Sequence, residues 1–109
     1  MTAHRKILHE YVTAEGGCPF REWLLDLPMT VRARVQARLL RFELGNLGDF
    51  KAVGGGVLEA RLQFGAGYRI YFAVEREHVI LLLIGGDKSS QANDIMLARR
   101  FLKDYLERK

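Results

Sequence analysis

Apolar and polar residues recur with two different periods along this chain, and the change from one to the other falls near residue 50. The opening segment Ile7-Leu8-His9-Glu10-Tyr11-Val12 is rich in strand formers and stops at Glu15-Gly16-Gly17, which predicts a first strand. Pro19 suits a helix start. Phe20, Trp23, Leu24 and Leu27 then follow at helical spacing until Pro28 closes the segment. From about Met29 to Leu44, Val31, Val35, Leu39 and Phe42 form one stripe with Leu40, Leu44 and the alanines beside it, and Arg34, Arg38 and Arg41 share the remaining arc. Gly45-Asn46 is a natural stop. The spacing predicts two antiparallel helices whose broad apolar surface another layer must cover.

Beyond residue 50 the period is two. In Val57 to Phe64 the even positions are apolar and Glu59, Arg61 and Gln63 share the opposite side; Tyr68 to Val74 repeats the pattern with Arg69, Tyr71 and Ala73 on one side. Phe64-Gly65-Ala66-Gly67 joins them as a hairpin. For Leu62 and Phe64 to meet Ile70 and Tyr68 on the core face, paired residue numbers must sum to an even number, so Arg61 and Arg69 fall together on the other face. The run Val79 to Ile84 is continuously apolar and predicts the most buried strand. Gly85 to Ser90 follow as a turn, with Ser90 or Asn93 available to cap the next helix. That last helix, roughly Gln91 to Glu107, has Ile95, Ala98, Leu102 and Tyr105 as its stripe, with Arg99, Arg100, Lys103 and Arg108 outside it.

Length and composition fit one domain over residues 1–109: the chain is 49% hydrophobic, and a chain of this size buries about two-thirds of its unfolded surface. The lone Cys18 excludes an internal disulfide, and no Cys/His cluster has metal-ligand spacing, so neither metal nor cofactor is expected. The opening residues lack the apolar core of a signal peptide, and the longest apolar run is far short of the roughly 20 residues that span a bilayer. These features predict a cytoplasmic protein with no membrane partner. The balance of 17 basic and 13 acidic residues, +4, permits a nucleic-acid partner without demanding one.

The position of the cations says more than their total. Glu59, Arg61, Arg69 and Gln63 occupy what alternation marks as an open sheet face, with Lys51 before the strand and Lys88 after the last one. Four cations and one carboxylate on a concave surface suit a phosphodiester. The same alternation is also what an ordinary half-exposed sheet shows. Other features read more simply: Ser89-Ser90 as a cap, Gly54-Gly55-Gly56 as a turn lacking the Lys-Ser/Thr of a P-loop, and Cys18 and Trp23 as packing residues. The arc of Arg34, Arg38 and Arg41 reads as a solvated face, with RNA or an acidic protein as its possible partner.

Three motifs carry a family resemblance: Gly48-Asp49-Phe50-Lys51-Ala52-Val53-Gly54-Gly55-Gly56-Val57-Leu58-Glu59-Ala60-Arg61, then Gly65-Ala66-Gly67-Tyr68-Arg69-Ile70-Tyr71-Phe72, then Leu81 to Gln91. With Phe20-Arg21-Glu22-Trp23-Leu24 before them, the chain resembles the RelE/ParE toxin superfamily, in its HigB-like branch of addiction module killer proteins from bacterial type II toxin–antitoxin systems. The resemblance implies an α+β fold in which an N-terminal helix pair and a C-terminal helix pack on a twisted, mainly antiparallel sheet of about four to five strands. It implies a ribosome-dependent, metal-independent mRNA endoribonuclease that inhibits translation, with the ribosome and mRNA as partners. A cognate antitoxin, HigA-like and of helix-turn-helix type, would neutralise it.

Carried over by position, Lys51, Arg61, Arg69 and Lys88 fall where RelE-like nucleases place cations around the scissile phosphate; Glu59 is added from strand geometry. None of His4, His9 and His78 falls on this face, and Tyr105 lies on an apolar stripe, which leaves the general acid and base open. The same superfamily also implies an alternative, a ParE-like inhibitor of DNA gyrase, and a non-catalytic binding module is a third reading.

Overall fold

A computed structural model describes residues 5–109, so His4 and the residues before it lie outside the described residues. Among the described residues the elements follow in the order β1 (Ile7–Glu10), α1 (Pro19–Leu25), α2 (Met29–Glu43), β2 (Phe50–Ala52), β3 (Leu58–Leu62), β4 (Tyr68–Arg76), β5 (Val79–Gly86), a 3₁₀ turn (Lys88–Ser90) and α3 (Gln91–Arg108). The strands form one mixed sheet in the order β1-β5-β4-β3-β2, with β1 parallel to β5 and the other pairs antiparallel. This is the expected α+β class with its five strands.

The period-two segments bury both faces. Even positions Ala60, Leu62, Ile70, Phe72, Ile80 and Leu82 pack under α1 and α2 against Phe20, Leu24, Val35 and Phe42. A large side chain fully buried in this way contributes about 1.5–3 kcal/mol. The odd positions Val57, Tyr71, Ala73, Leu81 and Leu83 pack with Tyr11 against Ala98 and Leu102 of α3. The sheet is therefore sandwiched, and the face expected to be open is roofed by α3, because that helix too has an apolar stripe to bury.

The hairpin register follows the parity argument: Leu62 pairs with Tyr68, Ala60 with Ile70, and Arg61 stands directly opposite Arg69. On the other side of β4 the register shifts between Tyr71 and Phe72, so that Tyr71 faces Ile84 while Phe72 faces Leu82, leaving Leu83 as an extra residue in β5. Such a bulge reverses which way the following residues point. It sends Gly85 toward α1, where an added Cβ would stand 2.1 Å from Trp23, and Gly86 toward α3, where one would stand 1.8 Å from Asp94 Oδ2. Both helices approach the sheet closely only because these two residues lack side chains.

Two local features depart from expectation. The edge strand β2 is three residues long and follows the Gly48-Asp49 bend, too short for periodicity to reveal it. The cap before α3 is Asp87, whose carboxylate accepts from the Ser89 N–H, while the Ser90 hydroxyl accepts from the Asp87 N–H in a reciprocal box. Ser90 stands at the N-cap of α3 but gives no side-chain cap, and its hydroxyl donates to Asp94 instead.

Candidate functional site

At the hairpin end of the sheet a cavity of about 370 Å³ opens, lined by residues 61–65 and by Gly67, Tyr68, Arg69 and Lys88. The strands supply two arginines at facing positions, and the 3₁₀ turn supplies Lys88, whose backbone N–H donates to the Ala66 carbonyl and so ties the turn to the hairpin tip. Gly67 sits at φ +74°, in the left-handed region that glycine adopts without strain.

Two like charges directly opposite on adjacent strands repel. Glu59, one step along β3 on the same face, holds them together. Its carboxylate accepts from Arg61 Nε at 3.3 Å through Oε1, while Oε2 accepts from Tyr71 Oη at 3.0 Å and Gln91 Nε2 at 2.9 Å and lies 3.6 Å from Arg69 Nε. Arg69 Nη1 also donates to the Gly67 carbonyl at 2.7 Å. The three side chains are graded in depth: Glu59 is 0% exposed, Arg69 10% and Arg61 38%.

Burial alone pushes the Glu59 carboxyl up, but hydrogen bonds from Gln91, Tyr71 and Arg61 and the charge of Arg69 outweigh it and hold the group below the usual carboxylate range. Burial and the neighbouring carboxylate push the Tyr71 hydroxyl well above its usual range, so it stays a donor. Behind this cluster Asp94 is buried, and desolvation, with the charge of Asp87 adding to it, raises its carboxyl despite the Ser90 hydrogen bond.

Of the sequence-predicted residues, Arg61, Arg69 and Lys88 meet at the cavity, with Gln63 on its rim. Glu59 does not lie on a solvated face as expected: α3 covers it, and it touches the arginines instead of solvent. Lys51 is exposed on β2, paired with Glu59, and does not line the cavity. Since Arg61 N–H donates to the Asp49 carbonyl in the same ladder, Lys51 is the diagonal neighbour of Arg61, about 7–8 Å away across the strands.

The arginine arc of α2 divides. Arg38 is buried, not solvated: it donates to the carbonyls of Leu47, Asp49 and Arg61 and staples α2 to β2 and β3. Desolvation lowers its pKa, with Arg41 adding to the effect. Arg34 and Arg41 remain exposed. Sequence reasoning missed Tyr71, Gln91 and Asp94 as members of the polar cluster. Among the described residues no group of three or more His, Cys, Asp or Glu side chains could hold a metal ion, and no helix is long and apolar enough to cross a membrane.

An α+β sheet with a cation-lined cavity at one end defines the class, and comparison with known sequences defines the family. Residues 22–103 match the family described as Phage derived protein Gp49-like (DUF891). An uncharacterized protein of Haemophilus influenzae (strain ATCC 51907 / DSM 11121 / KW20 / Rd) is 41% identical over 81 residues, which is 73% of this chain and 82% of that protein. No solved structure matches. The chain belongs to the Gp49-like family, a family associated with addiction-module toxins.

Proposed function

We propose that this protein is the toxin of a type II toxin–antitoxin module, a HigB-like endoribonuclease that acts in the cytoplasm on mRNA held in the ribosome. A cognate helix-turn-helix antitoxin would neutralise it. The observation that carries this reading is the meeting of Arg61, Arg69 and Lys88 at one open cavity, with both arginines fixed from beneath by a buried carboxylate. Guanidinium forks match the oxygens of a phosphate, and donors held in place before the reaction need no reorganisation during it.

The chemistry proceeds without a metal. The 2′-oxygen attacks the adjacent phosphorus in line, a bond forms to it, and the bond to the 5′-oxygen breaks, leaving a 2′,3′-cyclic phosphate and a 5′-hydroxyl. Arg61 and Arg69 hold the equatorial oxygens as negative charge builds. Lys51, reaching from the edge strand, orients or deprotonates the 2′-hydroxyl, and Lys88 contacts the phosphate or protonates the leaving oxygen. Glu59 is sealed from substrate, so its part is to position the two arginines.

The experiment adds purified protein to translating ribosomes and maps mRNA ends, with gyrase supercoiling measured in parallel. The nuclease reading expects new mRNA ends for the wild type and none for Arg69→Ala. Intact mRNA with falling supercoiling would transfer the protein to the gyrase-inhibitor class. Intact mRNA with normal supercoiling would leave a binding module.

A further inference from the structure

A second hollow, about 510 Å³, lies on the α2 side of the hairpin end and is lined by Arg34, Ala37, Arg38, Arg41, Leu62, Gln63 and Phe64. Leu62, Gln63 and Phe64 line the arginine cavity as well, so the two hollows adjoin across one short stretch of β3 and its turn. No carboxylate lines either one. Beside the α2 hollow, Asp49 accepts the amide of Gln63 at 3.0 Å.

The lining differs in kind from the first cavity. The Arg34 guanidinium lies 4.5 Å from the centre of the Phe64 ring, and that ring packs in turn against Tyr68 at 5.3 Å. Arg34 is exposed, so its guanidinium over the Phe64 ring forms a cationic shelf at the surface, with the Tyr68 ring tilted by 40° against Phe64. Arg41 is exposed beside it, and Ala37 is the small residue between them on α2. Arg38 forms the floor and is fully engaged by three backbone carbonyls, which fixes the helix against the turn. Flat guanidinium and aromatic surfaces stack nucleobases, and an adjacent free arginine binds phosphate.

We infer that this hollow is a nucleotide subsite for the RNA strand that enters the arginine cavity: an unpaired base stacks on the Arg34–Phe64 shelf, and Arg41 contacts that nucleotide's phosphate. The inference rests on the phosphodiester reading of the first cavity and extends it around the hairpin to a second nucleotide. Continuity of the two hollows and their shared positive lining favour one strand crossing both.

The test titrates isotope-labelled full-length protein at low salt with a short single-stranded RNA, with the same RNA carrying abasic sites, and with a poly-glutamate peptide, following backbone amide resonances. The intact RNA is expected to move the amides of Ala37, Gln63 and Phe64 together with those of Gly67, Arg69 and Lys88, and the abasic RNA only the second set. Arg34→Gln, and Phe64→Leu, which keeps an apolar side chain in the ring's place, should each weaken binding of the intact RNA about 5- to 100-fold. Abasic RNA should bind those variants as it binds the wild type, and melting temperatures report that both remain folded.

Failure of the subsite and failure of the first cavity look different. Shifts confined to Gly67, Arg69 and Lys88, with Arg34→Gln binding normally, overturn the subsite and leave the first cavity standing. Shifts confined to Ala37, Gln63 and Phe64, unaffected by Arg69→Ala, overturn the shared strand and the phosphodiester reading together. Shifts of the α2 hollow with poly-glutamate but not with RNA make it a protein-docking surface and overturn the subsite.

Discussion

The two faces of the sheet are built on different principles. Under α1 and α2 the contact is apolar but for Arg38 at its border with the Leu47–Asp49 bend, and the Phe42 and Phe72 rings meet within it, 4.9 Å apart and tilted by 48°. Under α3 it is apolar at one end, where Tyr11, Ala73, Leu81 and Leu102 meet, and polar at the other, where Glu59, Arg69 and Asp94 are buried together. An apolar layer tolerates change in proportion to the volume and area lost. A buried polar cluster is stable only as a complete set, since removing one member leaves another charge without a partner. The first face holds the fold, and the second gives up part of its packing to aim two arginines at one point.

That contrast can be broken most severely on the apolar face. Phe72→Ala should cost about 3–5 kcal/mol, read as a fall in the urea midpoint with an unchanged slope. On the other face, Glu59→Ala should cost about 3 kcal/mol, because Arg69 would keep a buried charge with its carboxylate gone. A restoring double change, Glu59→Ala with Arg69→Ala, should recover part of that loss, and a purely additive result would show that the two residues are not coupled. Gly86→Ala should cost about 1–3 kcal/mol, since the new methyl group would displace Asp94 and the start of α3.

The smallest effects are in pH dependence, and they run in opposite directions. Glu59 has a lowered pKa in the folded chain, so its contribution is fully present above about pH 4.3, the ordinary unfolded value, and is lost as pH falls through the lower folded value. The stability gap between wild type and Glu59→Gln should therefore close in acid. Asp94 has a raised pKa, so it favours the folded state most below about pH 3.9 and less as pH rises through the higher folded value. Asp94→Asn should abolish that decline and gain on the wild type between acid and neutral pH. Thermal melts at closely spaced pH values resolve both slopes.

Much of this was legible in the sequence. Parity of the hairpin puts Arg61 and Arg69 on one face, because a one-residue slip would turn Leu62 and Ile70 outward, whereas parity alone does not fix that the two stand directly opposite each other, with Leu62 against Tyr68. The misplacement of Glu59 has an equally plain cause. Tyr71 and Ala73 share its side of the sheet, and their apolar character, with the stripe of α3 still in need of a partner, already marked that face as covered. Alternation shows which residues share a face but not how far a helix extends over it. Arg38 was misjudged because helical spacing places it with Arg34 and Arg41, whereas its burial depends on carbonyls in the Leu47–Asp49 bend that no pattern reveals. The bulge at Leu83 left no signal within a continuous apolar run, yet it sets the positions of Gly85 and Gly86 and so the approach of both helices.

We propose that the polar end of the α3 face holds Arg61 and Arg69 on a scissile phosphate. The most direct test is the cleavage rate of ribosome-bound mRNA for the wild type, Arg61→Ala and Arg69→Ala, with melting temperatures measured on the same preparations. Loss of either arginine should slow cleavage about 100- to 1,000-fold in protein that remains folded. Cleavage by folded Arg69→Ala at the wild-type rate would contradict the account.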